Sequence, residues 1–350
     1  MPRPASAFAF LLAALGGASA ALSPSAAPAQ ATREPPAAVA IAATPVPLDA
    51  NDPARTIVGR LEWRGGLALA GSHRRFGGWS GMLVEDGGRR LVLVSDIGDW
   101  LPATLAYDGA GRLAGVSDAT LGRLQDESGN PMPDGKRADA ESLTRLADGR
   151  LLVGFEREHR VLVYPAGSEA AGGGLAGRPQ RLPDPPGLAE APDNEGLEAL
   201  ATLPDGRVLA VTENLSAGEG LARAWVGTPS GTASGAAMAW QPLSYRMVPP
   251  FRPTGAAALP GGDVVLTERT WNPVQGVRVR VVRVAGGTIA AGAVLEPVEL
   301  ARLIAPVATD NLESIDAAAL PDGPIGLWIV SDDNFNPMQR NLLLHFAIVD

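Results

Sequence analysis

Five copies of one cassette occupy most of this 350-residue chain and limit its fold more than any other feature. Each copy has a polar entry, an apolar run, a tight turn and a second apolar run that ends on an acid. These terminal acids recur every 55 to 64 residues, at Asp96, Glu156, Glu213, Glu268 and Asp332. A repeat of this length with hairpins inside it is typical of propeller blades, which are small antiparallel sheets.

The turns of the second and third copies are nearly identical. Asp148-Gly149-Arg150 and Asp205-Gly206-Arg207 each separate two apolar runs. Asp-Gly in such a place predicts a β-hairpin with a type I′ turn, because that turn needs positive φ at its central residues. The chain also has 42 glycines and 31 prolines, which helix interiors tolerate poorly. We therefore predict an all-β chain with many short strands.

These repeats predict a β-propeller with five clear repeats and five or six blades of four-stranded antiparallel sheet. A sixth blade would lie where the pattern is weak, or would be built from the two chain ends. The strands expected at 56–69 and 341–349 are suited to completing one blade together, which would close the ring and remove an exposed edge. A β-sandwich is the alternative fold, but it does not explain why turns, acids and apolar positions recur together.

The N-terminal stretch predicts export. Residues 1–20 combine Arg3, an apolar run and the small-x-small end Ala18-Ser19-Ala20, as a secretory signal peptide does. Residues 21–50 are rich in Ala and Pro and predict a disordered linker, so the expected propeller domain is 51–350. We expect a periplasmic or secreted protein. The alternative for residues 1–20 is an N-terminal anchor or a buried helix.

Composition limits the partners. A net charge of −9 argues against a nucleic-acid partner, since phosphate binding needs a basic surface. No stretch after the signal peptide is long and apolar enough for a membrane span, so none is expected in the mature chain. We expect a monomer. The chain has no cysteine, which excludes disulfides, thiolate metal ligands and a cysteine nucleophile.

Several ordered motifs carry a family resemblance. They are Ser95-Asp96-Ile97-Gly98-Asp99-Trp100, Asp139-Ala140-Glu141-Ser142-Leu143, Asn194-Glu195-Gly196-Leu197-Glu198-Ala199-Leu200, Thr254-Gly255-Ala256 with Glu268-Arg269, Asp310-Asn311-Leu312-Glu313, and Ser331-Asp332-Asp333-Asn334-Phe335 with Gln339-Arg340. Together they resemble the exported bacterial family called esterase-like activity of phytase, over roughly residues 56–350. The resemblance implies a β-propeller related in shape to the calcium-dependent propeller phytases. Leu312-Glu313-Ser314 departs from the family, which tends to have an aromatic residue and a glycine after the Asn-x-Glu pattern.

Acids at equivalent places in a propeller would face one another at one mouth of its central channel. Carboxylates without partners repel at short range, and burying them is costly, so something must neutralise them. Ca²⁺ suits this task because it takes about six to eight oxygen ligands. The predicted ligands are Glu141, Glu195, Glu198, Asp310, Glu313, Asp332, Asp333 and Asn334.

Other interpretations of these residues stay open at the level of sequence. The acids and the asparagine can cap turns and bind backbone amides at strand ends. Arginines beside the motifs can form ion pairs with them, or can bind an anionic substrate through a bidentate guanidinium. Those arginines are Arg137, Arg157, Arg269 and Arg340.

A Ser-His-Asp site has little support. The chain has three histidines and no Gly-x-Ser-x-Gly elbow, and Ser80 in Gly78-Trp79-Ser80-Gly81 is only a near match. The tryptophans at the cassettes, residues 79, 100, 271 and 328, are expected to pack between blades. Trp100 and Trp271 each follow a strand-end acid, so they are the expected exceptions that would contact a ligand.

The acid set, the neighbouring arginines and the resemblance together predict an exported phytase-like or esterase-like hydrolase. It would act on phosphate or other esters, with a small anionic or ester substrate and Ca²⁺ at the channel mouth. The predicted catalytic residues are Glu141, Glu198, Asp332, Arg269 and Arg340. The alternative is a non-catalytic propeller that binds a ligand or a partner, with structural calcium or none, because fold alone does not decide function.

Overall fold

The computed structural model describes residues 35–349, apart from 168–171, 173 and 233–234. The predicted signal peptide and the first part of the predicted linker lie outside the described residues. Regular structure in the described part is β-strand, accompanied by short 3₁₀ turns at Leu188–Glu190 and Gly286–Thr288. No helix among these residues has the length and apolarity needed to cross a lipid bilayer.

The strands are numbered in chain order. The first thirteen are β1 Ala37–Val39, β2 Ile41–Pro45, β3 Ile57–Val58, β4 Leu61–Gly71, β5 Trp79–Glu85, β6 Arg90–Ser95, β7 Asp99–Tyr107, β8 Leu113–Ser117, β9 Ala119–Arg123, β10 Ala140–Arg145, β11 Leu151–Phe155, β12 Arg160–Tyr164 and β13 Gln180–Arg181. The others are β14 Leu197–Thr202, β15 Val208–Gly218, β16 Leu221–Thr232, β17 Gly235–Arg246, β18 Arg252–Ala258, β19 Val264–Asn272, β20 Gly276–Val284, β21 Val294–Leu295, β22 Val298–Ile304, β23 Leu312–Ala319, β24 Ile325–Ser331 and β25 Asn341–Ile348.

These strands form five sheets, which are the five blades of a propeller. Blade 1 has the order β5-β6-β7-β9-β1 with β8 beside β7, blade 2 has β10-β11-β12-β13, and blade 3 has β14-β15-β16-β17-β21. Blade 4 has β18-β19-β20-β22, and blade 5 has β23-β24-β25-β4-β2 with β3 beside β4. The first strand of each blade contacts the first strand of the next, from β5 through β10, β14, β18 and β23 back to β5. These five inner strands line the central channel.

The predicted all-β propeller is therefore confirmed, and its blade number in the described residues is five. Blades 2 and 4 have the four strands that were predicted, while the other blades add strands at their outer edges. The added β21 of blade 3 lies parallel to β17, which differs from the expected antiparallel pattern.

The Asp-Gly turns form hairpins, but their type differs from the prediction. Gly149 and Gly206 both have a φ of 86°, whereas Asp148 and Asp205 keep negative φ. A type I′ turn needs positive φ at both central residues, so only the glycine is in the left-handed region here. The aspartate instead accepts the N–H of Arg150 at 3.1 Å, which closes a slightly longer loop.

Hydrophobic clusters lie between neighbouring blades rather than within them. The cluster between blades 1 and 2, for example, joins Leu83 and Val92 to Leu143 and Val153. Four comparable clusters occupy the other blade interfaces, including the one between blades 5 and 1. Because each sheet is covered on both faces, β11 and β12 are buried at every position, and their sequences are apolar except for Arg160 at the start of β12.

Blade 5 joins the two ends of the ring. Strand β25 pairs antiparallel with β4, from Asn341 opposite Leu69 to Ile348 opposite Leu61. The expectation that strands near 56–69 and 341–349 complete one blade is confirmed. They complete the blade of the fifth cassette, and the described residues form no sixth sheet.

A short segment before the first blade spans the join between blades 5 and 1. Strand β1 pairs with β9 at the edge of blade 1, and β2 pairs with β4 at the edge of blade 5. Between them, the N–H of Ala40 donates to Ser72 Oγ at 3.1 Å. We call residues 37–45 the clasp. The linker predicted for 21–50 is wrong here, because two sheet edges supply the hydrogen bonds that this Ala-rich stretch could not make alone.

The clasp should stabilise the closed ring. We expect a chain that begins at residue 47 to melt several degrees below one that begins at residue 35. The loss combines the backbone bonds of β1 and β2 with the burial of Val39, a side chain whose burial is worth about 1.5–3 kcal/mol. Thermal unfolding followed by circular dichroism measures the difference. Equal melting temperatures would contradict a stabilising clasp.

Candidate functional site

Every inner strand carries a β-bulge near its start. In blade 2 the pairing register skips Glu141, between Ala140 and Ser142. The residues skipped in blades 1 to 5 are Ser80, Glu141, Glu198, Thr254 and Glu313. A bulge turns the side chain of its extra residue away from the regular alternation of the strand. Equivalent bulges therefore direct equivalent side chains, three of them glutamates, toward the same end of the channel.

Most strand-end acids lie directly opposite the entries to these bulges. In blade 2 the N–H of Glu156 donates to the carbonyl oxygen of Asp139 at 2.9 Å. The same 2.9 Å bond links Asp96 to Gly78, Glu213 to Gly196 and Asp332 to Asn311. The bond fixes the strand-end acid beside the bulge of its own blade, so one blade brings two or three polar side chains together.

Blade 4 is the exception to this arrangement. Strand β19 stays extended as far as Asn272, so Glu268 lies inside the strand and not at its end. Its carboxylate accepts the hydroxyl of Tyr245 at 2.7 Å and pairs with Arg280 at 2.8 Å. The next residue, Arg269, is directed to the opposite side, where the other blades place an acid. Glu268 was expected to be equivalent to the other terminal acids, and that expectation is wrong.

Carboxyl groups from four blades interact with one another around the channel. They are Asp96 of blade 1, Asp139, Glu141 and Glu156 of blade 2, Glu198 and Glu213 of blade 3, and Glu313 and Asp332 of blade 5. We call this set the central acid group. Glu141, for example, experiences the charges of Asp96 and Glu313, which belong to two other blades.

Blade 2 gathers three of these carboxylates around one point. Single oxygens of Asp139, Glu141 and Glu156 all lie within 4.8 Å of one another. The entry, the bulge and the strand end supply one acid each. Arg157 pairs with Asp139 at 2.5 Å, and the N–H of Gly196 donates to Glu156. These three residues, which we call the blade 2 triad, can hold a metal ion.

Burial and mutual repulsion raise the pKa values of these acids. Burial raises the pKa of Glu156 to about 8, although a hydrogen bond with the Glu198 carboxyl opposes the shift. Burial likewise raises the pKa of Asp96 and of Glu213 to about 7. The pKa of Glu141 lies well above its usual range, first through burial and then through neighbouring carboxylates. A hydrogen bond between two carboxyls needs a proton, so the group shares protons when no cation neutralises it.

The structure brings part of the predicted site together. Glu141, Glu198, Glu313 and Asp332 belong to the central acid group, and Arg269 lies among them. Arg269 pairs with Glu313 at 3.1 Å and donates to Asn311 Oδ1 at 2.5 Å. The carboxylates around this guanidinium keep its pKa above the usual value despite burial.

Two predicted ligands, Glu195 and Asp310, form ion pairs at the edge of the central acid group, where Arg252 also lies 4.0 Å from Glu213. Glu195 accepts a hydrogen bond from Arg252 at 2.5 Å. Burial tends to raise the pKa of Glu195, but its hydrogen bonds with Asn214 and Arg252 outweigh burial and lower the pKa. Asp310 pairs with Arg340 at 3.4 Å, and the arginine side chain is half exposed. Of the two arginines predicted to be catalytic, Arg269 therefore pairs with a member of the central acid group and Arg340 pairs with Asp310, which is not a member.

The two other predicted ligands follow Asp332 and have different surroundings. Asp333 accepts the backbone N–H of Gly78 at 3.0 Å and the side-chain amide of Asn341 at 2.8 Å. These bonds connect blade 5 to blade 1 beside the acid group. Asn334 is exposed and has a φ of 48°, so it forms the turn rather than facing the other acids.

The sequence-based ligand set missed four members of the central acid group, which are Asp96, Asp139, Glu156 and Glu213. Asp96 and Glu156 were recognised as strand-end acids, and Asp139 lies two residues before Glu141 in its cassette. The acids of the triad were therefore visible in the sequence, although the three positions were not recognised as parts of one site. Only the second copy has an aspartate at the entry, a glutamate at the bulge and a glutamate at the strand end.

The chemistry of the central acid group suits a hard divalent cation. Its donors are carboxylate oxygens, which Ca²⁺ and Mg²⁺ prefer. Two buried oxygens, Asp96 Oδ1 and Glu313 Oε2, have no hydrogen-bond partner among the described residues. Carboxylates that are buried without partners are costly, so a cation would remove both the repulsion and the unmet bonding capacity.

Other candidate residues have structural surroundings. Ser80 is buried, and its hydroxyl donates to the carbonyl of Gly78 at 3.4 Å. Trp79 and Trp328 are fully buried in the cluster between blades 5 and 1, as predicted. Trp100 is also buried between blades, which is the packing predicted for the cassette tryptophans, so it is not one of the exceptions.

The fold and the central acid group define a five-bladed β-propeller with an acidic end to its channel. The chain belongs to the phytase-like family described as "Esterase-like activity of phytase", which matches residues 74–335. This confirms the resemblance seen in the sequence motifs. A search among curated proteins found no match.

Several solved structures are similar to the chain over most of its length. A putative gluconolactonase has 12% identity, covers 88% of this chain and 93% of its own, and has a TM-score of 0.43. A protein of unknown function from Dyadobacter fermentans has 14% identity, coverages of 89% and 92%, and a TM-score of 0.42. An endo-arabinase from Bacteroides thetaiotaomicron has 12% identity, coverages of 79% and 94%, and a TM-score of 0.44. Similarities this weak carry no argument about function.

The raised pKa values predict how stability depends on pH. An acid whose pKa is raised by folding stabilises the protein below its unfolded pKa, near 4, and loses that contribution as pH rises through its folded pKa. The free energy of unfolding of the metal-free protein should therefore fall between pH about 4 and about 8, the window set by Glu156. Urea unfolding in chelator at pH 5 and pH 8 measures this.

The variant Glu141→Gln is the control for this pH dependence, because it removes one charge from the blade 2 triad. Its free energy of unfolding should fall less between the two pH values than that of the wild type. A wild-type stability that is flat or rises with pH would show that the acids are not held at raised pKa values.

Proposed function

We propose that the protein is an exported hydrolase of phosphate or other ester substrates, assisted by Ca²⁺ bound at the blade 2 triad. The observation that carries the proposal is the convergence of Asp139, Glu141 and Glu156 within 4.8 Å. Membership of the phytase-like family supports the reaction class, and the signal-peptide pattern of residues 1–20 supports export. A small anionic or ester substrate would bind at the same end of the channel.

The donor set supports Ca²⁺ in particular. Ca²⁺ accepts a flexible shell of carboxylates, carbonyls and water, and the triad offers one carboxylate from each of three backbone positions. Glu198, Glu313 and Asp332 surround the triad with further negative charge. A bound divalent ion of this kind polarises an ester oxygen and lowers the pKa of water.

The residues around the triad can bind substrate and move a proton. The Nε–H of Arg269 is buried without a hydrogen-bond partner among the described residues, so it can donate to an anionic substrate oxygen. The carboxyls of Glu156 and Glu198 already share a hydrogen bond. A carboxyl with a pKa near neutrality suits general acid–base catalysis, and the pKa of Glu156, about 8, supports a proton-transfer role for this residue.

The experiment compares the wild type with Glu141→Gln and Glu195→Gln. Both variants remove one carboxylate from the first half of a cassette, Glu141 at the bulge of blade 2 and Glu195 just before the entry of blade 3. Glu195 forms an ion pair with Arg252 and is not part of the triad. We expect Ca²⁺ to raise the melting temperature of the wild type and of Glu195→Gln, and to leave that of Glu141→Gln unchanged. Hydrolysis of 4-nitrophenyl phosphate or 4-nitrophenyl acetate should fall at least about 100-fold in Glu141→Gln.

The outcomes separate the proposal from its alternatives. A Ca²⁺-dependent melting shift without turnover of either ester would favour a non-catalytic propeller with structural calcium. An absence of any Ca²⁺ shift, together with no bound metal by elemental analysis, would mean that shared protons and arginines neutralise the acids. Equal losses in both variants would show that the triad has no special role.

A further inference from the structure

Three arginine side chains of blade 4 converge on one aromatic ring. The Cζ atoms of Arg278, Arg280 and Arg302 lie 5.6, 5.4 and 5.4 Å from the centre of the Phe251 ring. We call these three arginines the blade 4 arginine cluster. A ring face attracts cations, but it carries no net charge and cannot neutralise them. Positive charges that are held this close therefore need anions beside them.

Strand pairing brings the cluster together. Arg280 of β20 lies directly opposite Arg302 of β22, and directly opposite residues share one face of a sheet. Arg278 comes two residues before Arg280 on the same strand, so the alternation of strand residues directs it to that face as well. Like charges directly opposite each other are destabilising. The sheet therefore sets the position of the cluster against the repulsion between its members.

Two carboxylates supply part of the negative charge that the cluster needs. Glu299 accepts the Nε–H of Arg280 and an Nη–H of Arg302, both at 2.7 Å. Glu268 pairs with Arg280 at 2.8 Å and also accepts the hydroxyl of Tyr245 at 2.7 Å. Three guanidinium groups and two carboxylates leave an excess of one positive charge.

Arg278 is the member of the cluster without a carboxylate. It forms no ion pair with any residue in the described part of the chain, and its buried Nε–H has no acceptor there. A buried donor without an acceptor is costly. The Arg278 side chain is only partly buried, and that of Arg302 is 46% exposed. An anion from solvent can therefore reach both guanidiniums.

The cluster is separate from the central acid group. Glu268 and Arg269 are successive residues of β19, so their side chains are directed to opposite faces of blade 4. Arg269 pairs with Glu313 of the central acid group, whereas Glu268 pairs with Arg280 of the cluster. The arginines beside the family motifs differ from Arg278, because each pairs with a carboxylate; they are Arg157, Arg252, Arg269 and Arg340.

The chemistry of the cluster suits an oxyanion. A guanidinium presents a planar fork of N–H donors that matches the oxygens of a phosphate or a carboxylate. The planar carboxylate of Glu299 already binds Arg280 and Arg302. A tetrahedral oxyanion has oxygens in several directions, so it can accept from Arg278 and from Arg302 at once.

We propose that Arg278 and Arg302 bind one phosphate-type oxyanion beside the Phe251 ring. This is a second ligand site, on the face of blade 4 opposite to the central acid group, and it does not depend on the proposed hydrolase activity. The anion would neutralise the excess charge of the cluster and accept the Nε–H of Arg278. Inorganic phosphate and a phospholipid headgroup both carry this chemistry.

The first measurement is calorimetric titration of sodium phosphate into the full chain at constant ionic strength. Chelator keeps Ca²⁺ away from the central acid group and prevents calcium phosphate from forming. Arg278→Gln removes the unpaired guanidinium, and Arg269→Gln tests for binding at the central acid group. Arg89→Gln is the matched control, because Arg89 is exposed between β5 and β6 of blade 1 and its loss changes the net charge equally. Melting temperatures check that each variant is folded.

We expect the wild type, Arg89→Gln and Arg269→Gln to bind one phosphate with affinities within about twofold of one another. Arg278→Gln should bind it at least about tenfold more weakly, because it loses charge-assisted hydrogen bonds. Glu299→Gln should bind it at least about threefold more tightly, because it removes negative charge from the cluster. A gain in affinity of this kind does not arise from misfolding.

Sedimentation with vesicles separates the two sources of the anion. The vesicles contain phosphatidylcholine with or without phosphatidic acid. Sedimentation that needs phosphatidic acid and is lost in Arg278→Gln, without binding of free phosphate, would support the site with a lipid headgroup as its ligand.

Several outcomes would overturn the inference. They are no binding of either phosphate source by the wild type, equal losses in Arg278→Gln and Arg89→Gln, and no gain of affinity in Glu299→Gln. A loss in Arg269→Gln that Arg278→Gln does not share would place the anion at the central acid group and overturn it as well. Because these experiments contain neither Ca²⁺ nor an ester that is hydrolysed, their failure leaves the hydrolase proposal intact, and failure of that proposal leaves the phosphate site intact.

Discussion

Repulsion between carboxylates that the ring holds close together is the constraint on which the site depends. The inner strands begin at one end of the channel, and their bulges direct Glu141, Glu198 and Glu313 to that end. Such charges would move apart in a flexible chain. Here they cannot, because 2.9 Å backbone bonds fix the strand ends and apolar clusters fix one blade against the next. The fold therefore requires that protons or a cation neutralise these carboxylates. The raised pKa values are a consequence of the same repulsion and burial.

Much of the fold followed from the repeats, because turn glycines and strand-end acids report local structure that tertiary contacts do not change. Gly149 and Gly206 needed a left-handed backbone in any hairpin, and both adopt it. The blade number and the clasp were harder to derive. Whether the terminal strands build their own blade depends on pairing between β4 and β25, which are distant in sequence. The sequence of the clasp has no alternation of apolar and polar residues that would predict strands. Its two strands form because they pair with the edges of blades 1 and 5.

The sequence predicted that carboxylates of several blades form a site, but it did not predict which residues belong to that site. Matched spacing indicated that Glu141 and Glu198 are equivalent, and the structure places both in the central acid group. Which neighbours join them depends on where each strand ends. In blade 4, Glu268 pairs with Pro253 just before the bulge, one position earlier than the strand-end acids of the other blades. It is therefore directed to Tyr245, and Arg269 occupies the equivalent position at the channel. A one-residue difference in position exchanges a carboxylate for a guanidinium, because successive residues of a strand are directed to opposite faces.

Completion of blade 5 by strands from both ends also determines how the chain can reach its folded state. Strand β4 is made before blades 1 to 4 and its partner β25 is made after them, so the edge of β4 stays without that partner while those blades are synthesised. Long-range pairing of this kind makes folding slow and leaves intermediates with open edges that favour aggregation. Four blades can form as local units, and the fifth cannot. Closure of the ring depends on this pairing, and the acidic end of the channel, which takes carboxyls from four blades, is complete only when the ring is closed.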